Sequence, residues 1–233
     1  MPLGCSAVRR LAVDFTPLRV SRDLRLLIGG NLVTALGTQI ALVALPYQVY
    51  TETGSAFLTG LLGAVELVPL VTMSLLAGAL ADRMDRRLLL LGVQVGVAGA
   101  VVILAVLSYA GSPPLWTLYV LGGALAGFGA VQSLVRAAIV PNVVTAELLR
   151  PALALSFGLN QVMYVVGPAL GGVVIGVAGV GTAYLVDAVT CLGMVSAAIA
   201  LSPQPPAGVT EQERTASIGG SIVEGLRYVR GNQ

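Results

Sequence analysis

Long apolar stretches separated by short connections dominate the chain. Six stretches of 20 to 24 residues are almost free of charge: 27–50, 58–80, 88–110, 115–138, 153–176 and 182–201. A helix needs about 20 apolar residues to cross the roughly 30 Å hydrocarbon core of a bilayer. The pattern therefore predicts six transmembrane helices, spans 1 to 6, and an all-α membrane protein.

The arginines indicate how these spans are oriented. All 13 cations are Arg, and they lie in the two tails, in the connections 81–87 and 139–152, or at the helix ends beside them. The connections 51–57, 111–114 and 177–181 contain one charge, Glu52. Because positive residues stay on the cytoplasmic side, we expect a multi-pass protein of the inner (plasma) membrane with both termini in the cytoplasm.

The same pattern divides the chain into three parts. Residues 1–26 are predicted to form a cytoplasmic tail, 27–201 a transmembrane bundle, and 202–233 a cytoplasmic connector. Within the connector, apolar residues recur at helical spacing with charges between them, at Ile218, Ile222, Leu226 and Val229. This spacing predicts an amphipathic helix over 216–230 that lies on the inner membrane surface.

Composition limits the chemistry that the chain can perform. Only 10% of its 233 residues are charged and 56% are hydrophobic, whereas a soluble domain carries about 25% charged residues. His is absent, and Cys5 and Cys191 lie in different environments, so neither a His metal site nor a disulfide framework is expected. No nucleotide-binding loop, metal cluster or catalytic triad is recognisable. We therefore predict no enzyme activity, no cofactor and no nucleic-acid partner.

The connection between spans 2 and 3 carries the first motif, Gly78-Ala-Leu-Ala-Asp82-Arg83-Met-Asp85-Arg86-Arg87. Asp82 lies at the C-terminus of span 2, where the helix dipole disfavours an acid. Positive groups should compensate it, and the candidates are Arg86, Arg87 and Arg136. The alternative is a solvated, positively charged loop that contains an incidental Asp.

At this position, the motif resembles the loop signature of the major facilitator superfamily. The family usually has Gly where this chain has Asp85. The resemblance implies a gating loop formed by Gly78, Asp82, Arg83, Arg86 and Arg87, with Arg136 from span 4.

A second motif, Gly167-Pro168-Ala-Leu-Gly171-Gly172, lies in span 5. Pro removes a backbone hydrogen bond, and Gly lets a neighbouring helix approach closely. A Gly-rich packing helix would explain the motif equally well. The segment also resembles the core of the helix-5 signature of antiporters in the same superfamily, although Met163 replaces an upstream Gly of that signature.

Two further segments, residues 60–69 and 224–230, are similar to the enterobactin-exporter and macrolide-efflux branch. The resemblance covers about residues 20–233 and corresponds to the N-terminal half of a twelve-helix member. It implies one six-helix bundle built as a 3+3 inverted repeat. It also implies proton-coupled efflux of a siderophore, drug or similar small amphipathic molecule. The partners would be lipid, substrate, protons, and a second six-helix half or a second copy of the chain.

The alternative is a truncated or regulatory membrane scaffold without transport activity of its own. Alternating access requires two bundles that rock about a central site, and one bundle supplies a single wall. The sequence itself does not name the substrate.

Two carboxyl groups lie inside spans, Glu66 in span 2 and Asp187 in span 6. Ionisable groups at such depth are costly and are functional hypotheses by default. Both are candidates for proton coupling, and protonated structural acids are the alternative. In the resembled family, helices 1, 2, 4 and 5 line the cavity and helices 3 and 6 lie outside, which favours Glu66.

Amides inside the spans provide the candidates for substrate contact. Span 1 contains Gln39, and span 5 contains Asn160 and Gln161. These three side chains are candidates to face the substrate, and hydrogen bonds between helices are the alternative for each. Gln94 on peripheral span 3 is expected to link helices.

Overall fold

The computed structural model describes residues 16–203, except for the side chains at positions 16, 82 and 83. Over that range the chain is helical and contains no strand. This confirms the all-α fold class. The helices are α1 (Thr16–Val20), α2 (Arg22–Thr53), α3 (Ala56–Arg83), α4 (Arg86–Ala110), α5 (Leu115–Val143) and α6 (Ala146–Ala200). The segment 216–230, predicted to be amphipathic, lies outside the described residues.

Five of these helices are long and apolar enough to cross a membrane. The longest, α6, has 55 residues, and at 1.5 Å per residue it would measure about 80 Å as a straight rod. Its helical path is broken at Gly179, whose φ of 81° and ψ of 171° are not helical. We name residues 146–178 the first arm of α6 and residues 180–200 the second arm.

The first arm runs parallel to α2. The side chains of Asn31 and Asn160 are hydrogen-bonded at 3.1 Å, and nine residues further along α2, Ile40 contacts Gly171. Position therefore increases along both helices in the same direction.

The second arm runs antiparallel to α2. Gly30 contacts Ala197 near the beginning of α2, and Gln48 binds Tyr184 near its end. Because the two arms run in opposite directions along α2, the chain reverses at Gly179. The five helices therefore give six crossings, as the sequence predicts.

The connection between α2 and α3 shows how short segments end and begin these helices. Gly54 ends α2 in the left-handed conformation with φ 64°, which glycine adopts at little cost. Ser55 then caps α3, since its Oγ accepts a hydrogen bond from the amide of Leu58 at 3.3 Å. Two residues are therefore enough to reverse the chain.

Helix pairing follows a pattern with internal symmetry. The first arm of α6, which is span 5, packs through Gly171 on α2, which is span 1. In the same way α5, which is span 4, packs through Gly127 on Pro69 and Met73 of α3, which is span 2. The spans form two groups of three, spans 1–3 and spans 4–6. The first helix of each group pairs with the second helix of the other group. This exchange is the pattern that a 3+3 inverted repeat predicts.

Two apolar clusters stabilise the bundle near its two ends. One, around Leu24, Leu90 and Met194, lies where α2 begins and α6 ends. The other, around Leu104 and Leu118, lies at the opposite end. We call the first of these the arginine end, because Arg86, Arg87 and Arg150 lie there. Along α2, the polar residues Asn31, Thr34 and Thr38 lie between the two clusters.

Candidate functional site

Two adjoining cavities lie between α2, α5 and the first arm of α6. Cavity A, of about 200 Å³, is lined by Thr34, Ala35, Thr38, Gln39, Gly129, Gln132, Ser133, Arg136, Asn160, Met163 and Tyr164. Cavity B, of about 300 Å³, is lined by Leu27, Ile28, Asn31, Ser133, Arg136, Ala137, Val140, Leu153, Ser156, Phe157, Asn160, Gln161 and Tyr164. Four residues belong to both walls, so the two cavities lie side by side.

The three amides predicted to face substrate all lie in these walls. Gln39 is buried in the wall of cavity A, and Gln161 is exposed in cavity B. Asn160 lines both cavities; its Nδ2 donates to the carbonyl oxygen of Ser156 at 2.7 Å. Its Oδ1 accepts from Asn31 Nδ2 at 3.1 Å. The fold therefore brings these residues to one place, and their role in binding stays a prediction.

Arg136 is the charged group of this region, and its position differs from the one expected. We expected it at the end of a span that stops at residue 138, but α5 continues to Val143. Residues 139–143 are mostly apolar and continue the helix, which at 29 residues is longer than the hydrocarbon core requires. Arg136 therefore lies seven residues before the helix end, about 10 Å along the axis. It is half-buried beside Tyr164 and lines both cavities.

Glu66 lies apart from the cavities. It is half-buried on α3, and a Cβ added at Gly122 of α5 would lie 3.0 Å from its Oε1. Gly122 and Arg136 are 14 positions apart on α5, or about 21 Å along its axis. Among the residues that the structure describes, none forms a hydrogen bond or ion pair with Glu66. This carboxyl group is therefore at a different level from the polar cavity.

Asp187 is more deeply buried than a residue of a peripheral helix would be. Its side chain is 1% exposed and faces α2, where Thr38 Oγ1 lies 3.5 Å from its Oδ1. Thr38 also lines cavity A. One hydroxyl group therefore separates the carboxyl group of Asp187 from the cavity.

The arginines of the predicted gating loop bind backbone carbonyl oxygens of α5 and α6. Arg86 Nη1 donates to the carbonyl oxygen of Ala138 at 3.0 Å, and Arg87 Nε donates to that of Ala198 at 2.9 Å. The Asp85 carboxylate caps α4 by accepting from the Arg87 amide at 2.8 Å.

The other residues of this loop form no side-chain contact that the structure describes. Gly78 is exposed, and Asp82 and Arg83 occupy the last turn of α3, where the structure describes only their backbone. The gating role of Asp82 with Arg136 therefore stays a prediction.

The motif in span 5 divides into packing and non-packing positions. Gly167 and Gly171 lie against Gln39 and Ile40 of α2, where a Cβ would collide or be tightly confined. Gly172 faces open space, and Pro168 is accommodated within the helix. Close helix packing accounts for two of the three glycines, and an antiporter role of the motif stays a prediction.

Several polar residues of the interior had no assigned role in the sequence. Thr34 and Thr38 follow Asn31 at spacings of three and four, which is one face of a helix, and this spacing is the signal that could have found them. At the opposite end, Tyr184 donates to Gln48 Oε1 at 2.9 Å. Gln94, expected to link helices, accepts from Gln132 at 2.7 Å.

The family described as transmembrane secretion effector, within the major facilitator superfamily, matches residues 12–233. The chain belongs to this family. Membership classes it with multi-pass membrane transporters rather than with enzymes.

Relatives agree with this assignment. The multidrug efflux pump Tap of Mycobacterium tuberculosis is 30% identical over 211 residues, which cover 88% of this chain and 50% of Tap. Macrolide efflux protein A of Streptococcus pyogenes is 22% identical over 88% of the chain and 50% of that protein. The staphyloferrin A transporter of Staphylococcus aureus is 28% identical over 66% and 39%. The chain thus spans about half the length of the first two relatives.

Proposed function

We propose that the chain forms the N-terminal six-helix bundle of a secondary transporter that exports a small amphipathic molecule in exchange for protons. The observation that carries this proposal is the polar region formed by cavities A and B. It lies between spans 1, 4 and 5, and it combines amide groups and one arginine with apolar walls. Small-molecule sites have this composition of apolar walls with a few polar groups.

The relatives support the direction and the kind of substrate. Two of them are described as efflux proteins, one for multiple drugs and one for macrolides. A third is described as a transporter of staphyloferrin A. A drug-like or siderophore-like molecule leaving the cell is therefore the transport step that we infer.

Glu66 is our first candidate for proton coupling. A carboxyl group within a span can neutralise itself by taking up a proton, and it becomes charged when water reaches it. Its half-buried position, without a hydrogen-bond or ion-pair partner in the described range 16–203, supports reversible protonation. Asp187 is the second candidate, because Thr38 connects it to cavity A.

A second bundle is the partner that alternating access requires. The first arm of α6 carries large apolar side chains that this bundle leaves exposed, such as Val165 at 75%. On α3 the same is true of Phe57 at 77%. Lipid or a partner must cover these surfaces, and relatives of twice the length support a second six-helix half or a second copy of the chain as the partner. We place the arginine end in the cytoplasm, following the arginine distribution.

Transport in everted membrane vesicles tests this function. The chain is expressed alone and together with a second six-helix half, and uptake of labelled macrolides and siderophores is followed under an imposed pH gradient. We expect gradient-driven uptake by the complete assembly and its loss in Glu66→Gln, while Glu52→Gln in the exposed connection serves as the matched control. No uptake by any assembly would favour the scaffold alternative. Full activity of Glu66→Gln would exclude Glu66 as the coupling site.

A further inference from the structure

We propose that cavities A and B bind an organic anion that carries a hydrogen-bond donor and an apolar body, in the manner of an amphipathic hydroxy acid. This inference rests on the proposed transport function and names the chemical class of its substrate. Three features of the described range 16–203 carry it: an arginine without an anionic partner there, buried polar atoms without a partner there, and an apolar wall beside them.

The arginine is Arg136. It projects from the interior of α5 into both cavities. In the part of the chain that the structure describes, no carboxylate pairs with it and no carbonyl accepts from it. A guanidinium group presents several N–H donors in a planar fork that matches a carboxylate. Because this fork faces a cavity and pairs with no carboxylate among the described side chains, the group that it selects is an anion.

The second feature is the orientation of Asn31, which the neighbouring hydrogen bonds determine. Asn160 Nδ2 donates to the carbonyl oxygen of Ser156, so Asn160 Oδ1 is the atom that faces Asn31. An oxygen can only accept, and Asn31 must therefore present its Nδ2. This leaves Asn31 Oδ1 as a buried acceptor with no partner among the described residues.

The unpaired Asn31 oxygen requires a donor from outside the protein. Asn31 is 7% exposed and lines cavity B. Ser156 Oγ in the same wall is also buried, and no residue between 16 and 203 bonds to it. Leaving such groups unsatisfied is costly, so buried polar atoms are usually hydrogen-bonded. A ligand hydroxyl or N–H group would supply the donor that Asn31 lacks.

The third feature gives the ligand its apolar part. Cavity B also contains Leu27, Ile28, Leu153 and Phe157. Of these, Phe157 is 74% exposed and therefore available to an incoming molecule. A short aliphatic or aromatic body would pack on these side chains while its polar groups reach Arg136 and Asn31.

Binding of three small molecules tests the contributions of charge, hydrogen-bond donor and apolar body one at a time. Mandelate has a carboxylate, an adjacent hydroxyl group and a phenyl ring; phenylacetate lacks the hydroxyl group, and mandelamide lacks the charge. Their binding to the full chain, purified in detergent, is measured by isothermal titration and by the shift in thermal unfolding. We expect mandelate to bind most tightly. We expect mandelamide to bind about ten- to a hundredfold more weakly, because a charged hydrogen bond is lost.

Variants assign each effect to its residue. Arg136→Gln should remove the preference for mandelate over mandelamide, and Arg136→Lys should retain part of it because the charge remains. Asn31→Leu should remove the preference for mandelate over phenylacetate while the preference for the acid over the amide persists. Arg150→Gln is the matched control, because Arg150 is exposed on the first arm of α6 and lines neither cavity.

Several results would overturn the inference. Equal binding of mandelate and mandelamide by the unmodified chain, or no binding of any probe, excludes the anion subsite. Equal binding of mandelate and phenylacetate assigns the Asn31 oxygen to water instead of a ligand donor. If Asn31→Leu does not fold, Ser156→Ala and the probe series on the unmodified chain still decide the question. Transport of neutral drugs by a complete assembly alongside a failed binding series would refute the subsite and leave the proposed function intact.

Discussion

Arg87 donates a hydrogen bond of 2.9 Å from its Nε to the carbonyl oxygen of Ala198, 111 residues later in the chain. A second bond runs from its Nη2 to the carbonyl oxygen of Ile199. The last carbonyls of a helix have no partner within that helix, and a basic side chain can satisfy them. The loop motif between spans 2 and 3 therefore also anchors the C-terminal end of span 6.

This contact predicts a loss of stability when Arg87 is neutralised. We expect Arg87→Gln to lower the free energy of unfolding by about 1–2 kcal/mol, because charge-assisted bonds to the α6 carbonyls are lost and one of them is exposed. Thermal unfolding in detergent measures this, with Arg150→Gln as the control that should change little. Equal stability of the two variants would show that the contact contributes nothing.

The glycines of α2 provide a matched test of helix packing. A Cβ at Gly37 would collide with Thr190 and lie 2.8 Å from the Cα of Asp187, whereas a Cβ at Gly29 would meet nothing within 4 Å. Gly37→Ala should therefore destabilise the bundle by about 1–3 kcal/mol through overpacking. Gly29→Ala should be neutral or slightly stabilising. The same unfolding assay ranks the two variants, and the packing interpretation fails if Gly37→Ala is the more stable one.

The buried pair of Gln94 and Gln132 predicts a measurable coupling between α4 and α5. Their side chains are joined at 2.7 Å. Hydrogen bonds between membrane helices contribute about 0.6 kcal/mol on average. In a double-mutant cycle of Gln94→Leu and Gln132→Leu, we expect a favourable coupling energy of about 0.6–1.7 kcal/mol. A coupling energy of zero would contradict the role of this pair as a link between the helices.

The orientation in the membrane is tested by chemical labelling. Cys replaces Glu52 in a background that carries Ser at position 5 and Ala at position 191, so that no other thiol reacts. We expect an impermeant thiol reagent applied to intact cells to label position 52, because the positive-inside distribution places this connection outside. Labelling only after the cells are opened would reverse the orientation.

The sequence was sufficient to predict the number of crossings but not the lengths of the helices. Apolar content measures the part of a helix inside the hydrocarbon, which is why the six spans were recognisable. It does not report turns that protrude from it. Consequently α2 begins at Arg22, within the predicted tail, and α5 reaches Val143.

The candidate site was predictable where a residue type is unusual for its surroundings. Gln39 and Asn160 were found because amides are conspicuous within apolar spans. Asn31 was equally visible. Its oxygen is unpaired within the described range because its Nδ2 is turned toward the side chain of Asn160, which lies 129 residues later in the chain. Such a relationship exists only in the folded bundle, so a single sequence does not predict it.

The chain reversal at Gly179 has a consequence for how the protein is made. A single residue joins the two arms of α6, and no charged or strongly polar residue lies next to it. Little hydrophilic material therefore has to cross the bilayer when these two helices enter it. Spans 5 and 6 should leave the translocon together as one helical hairpin, and lengthening this joint with charged residues should slow membrane insertion before it affects any step of transport.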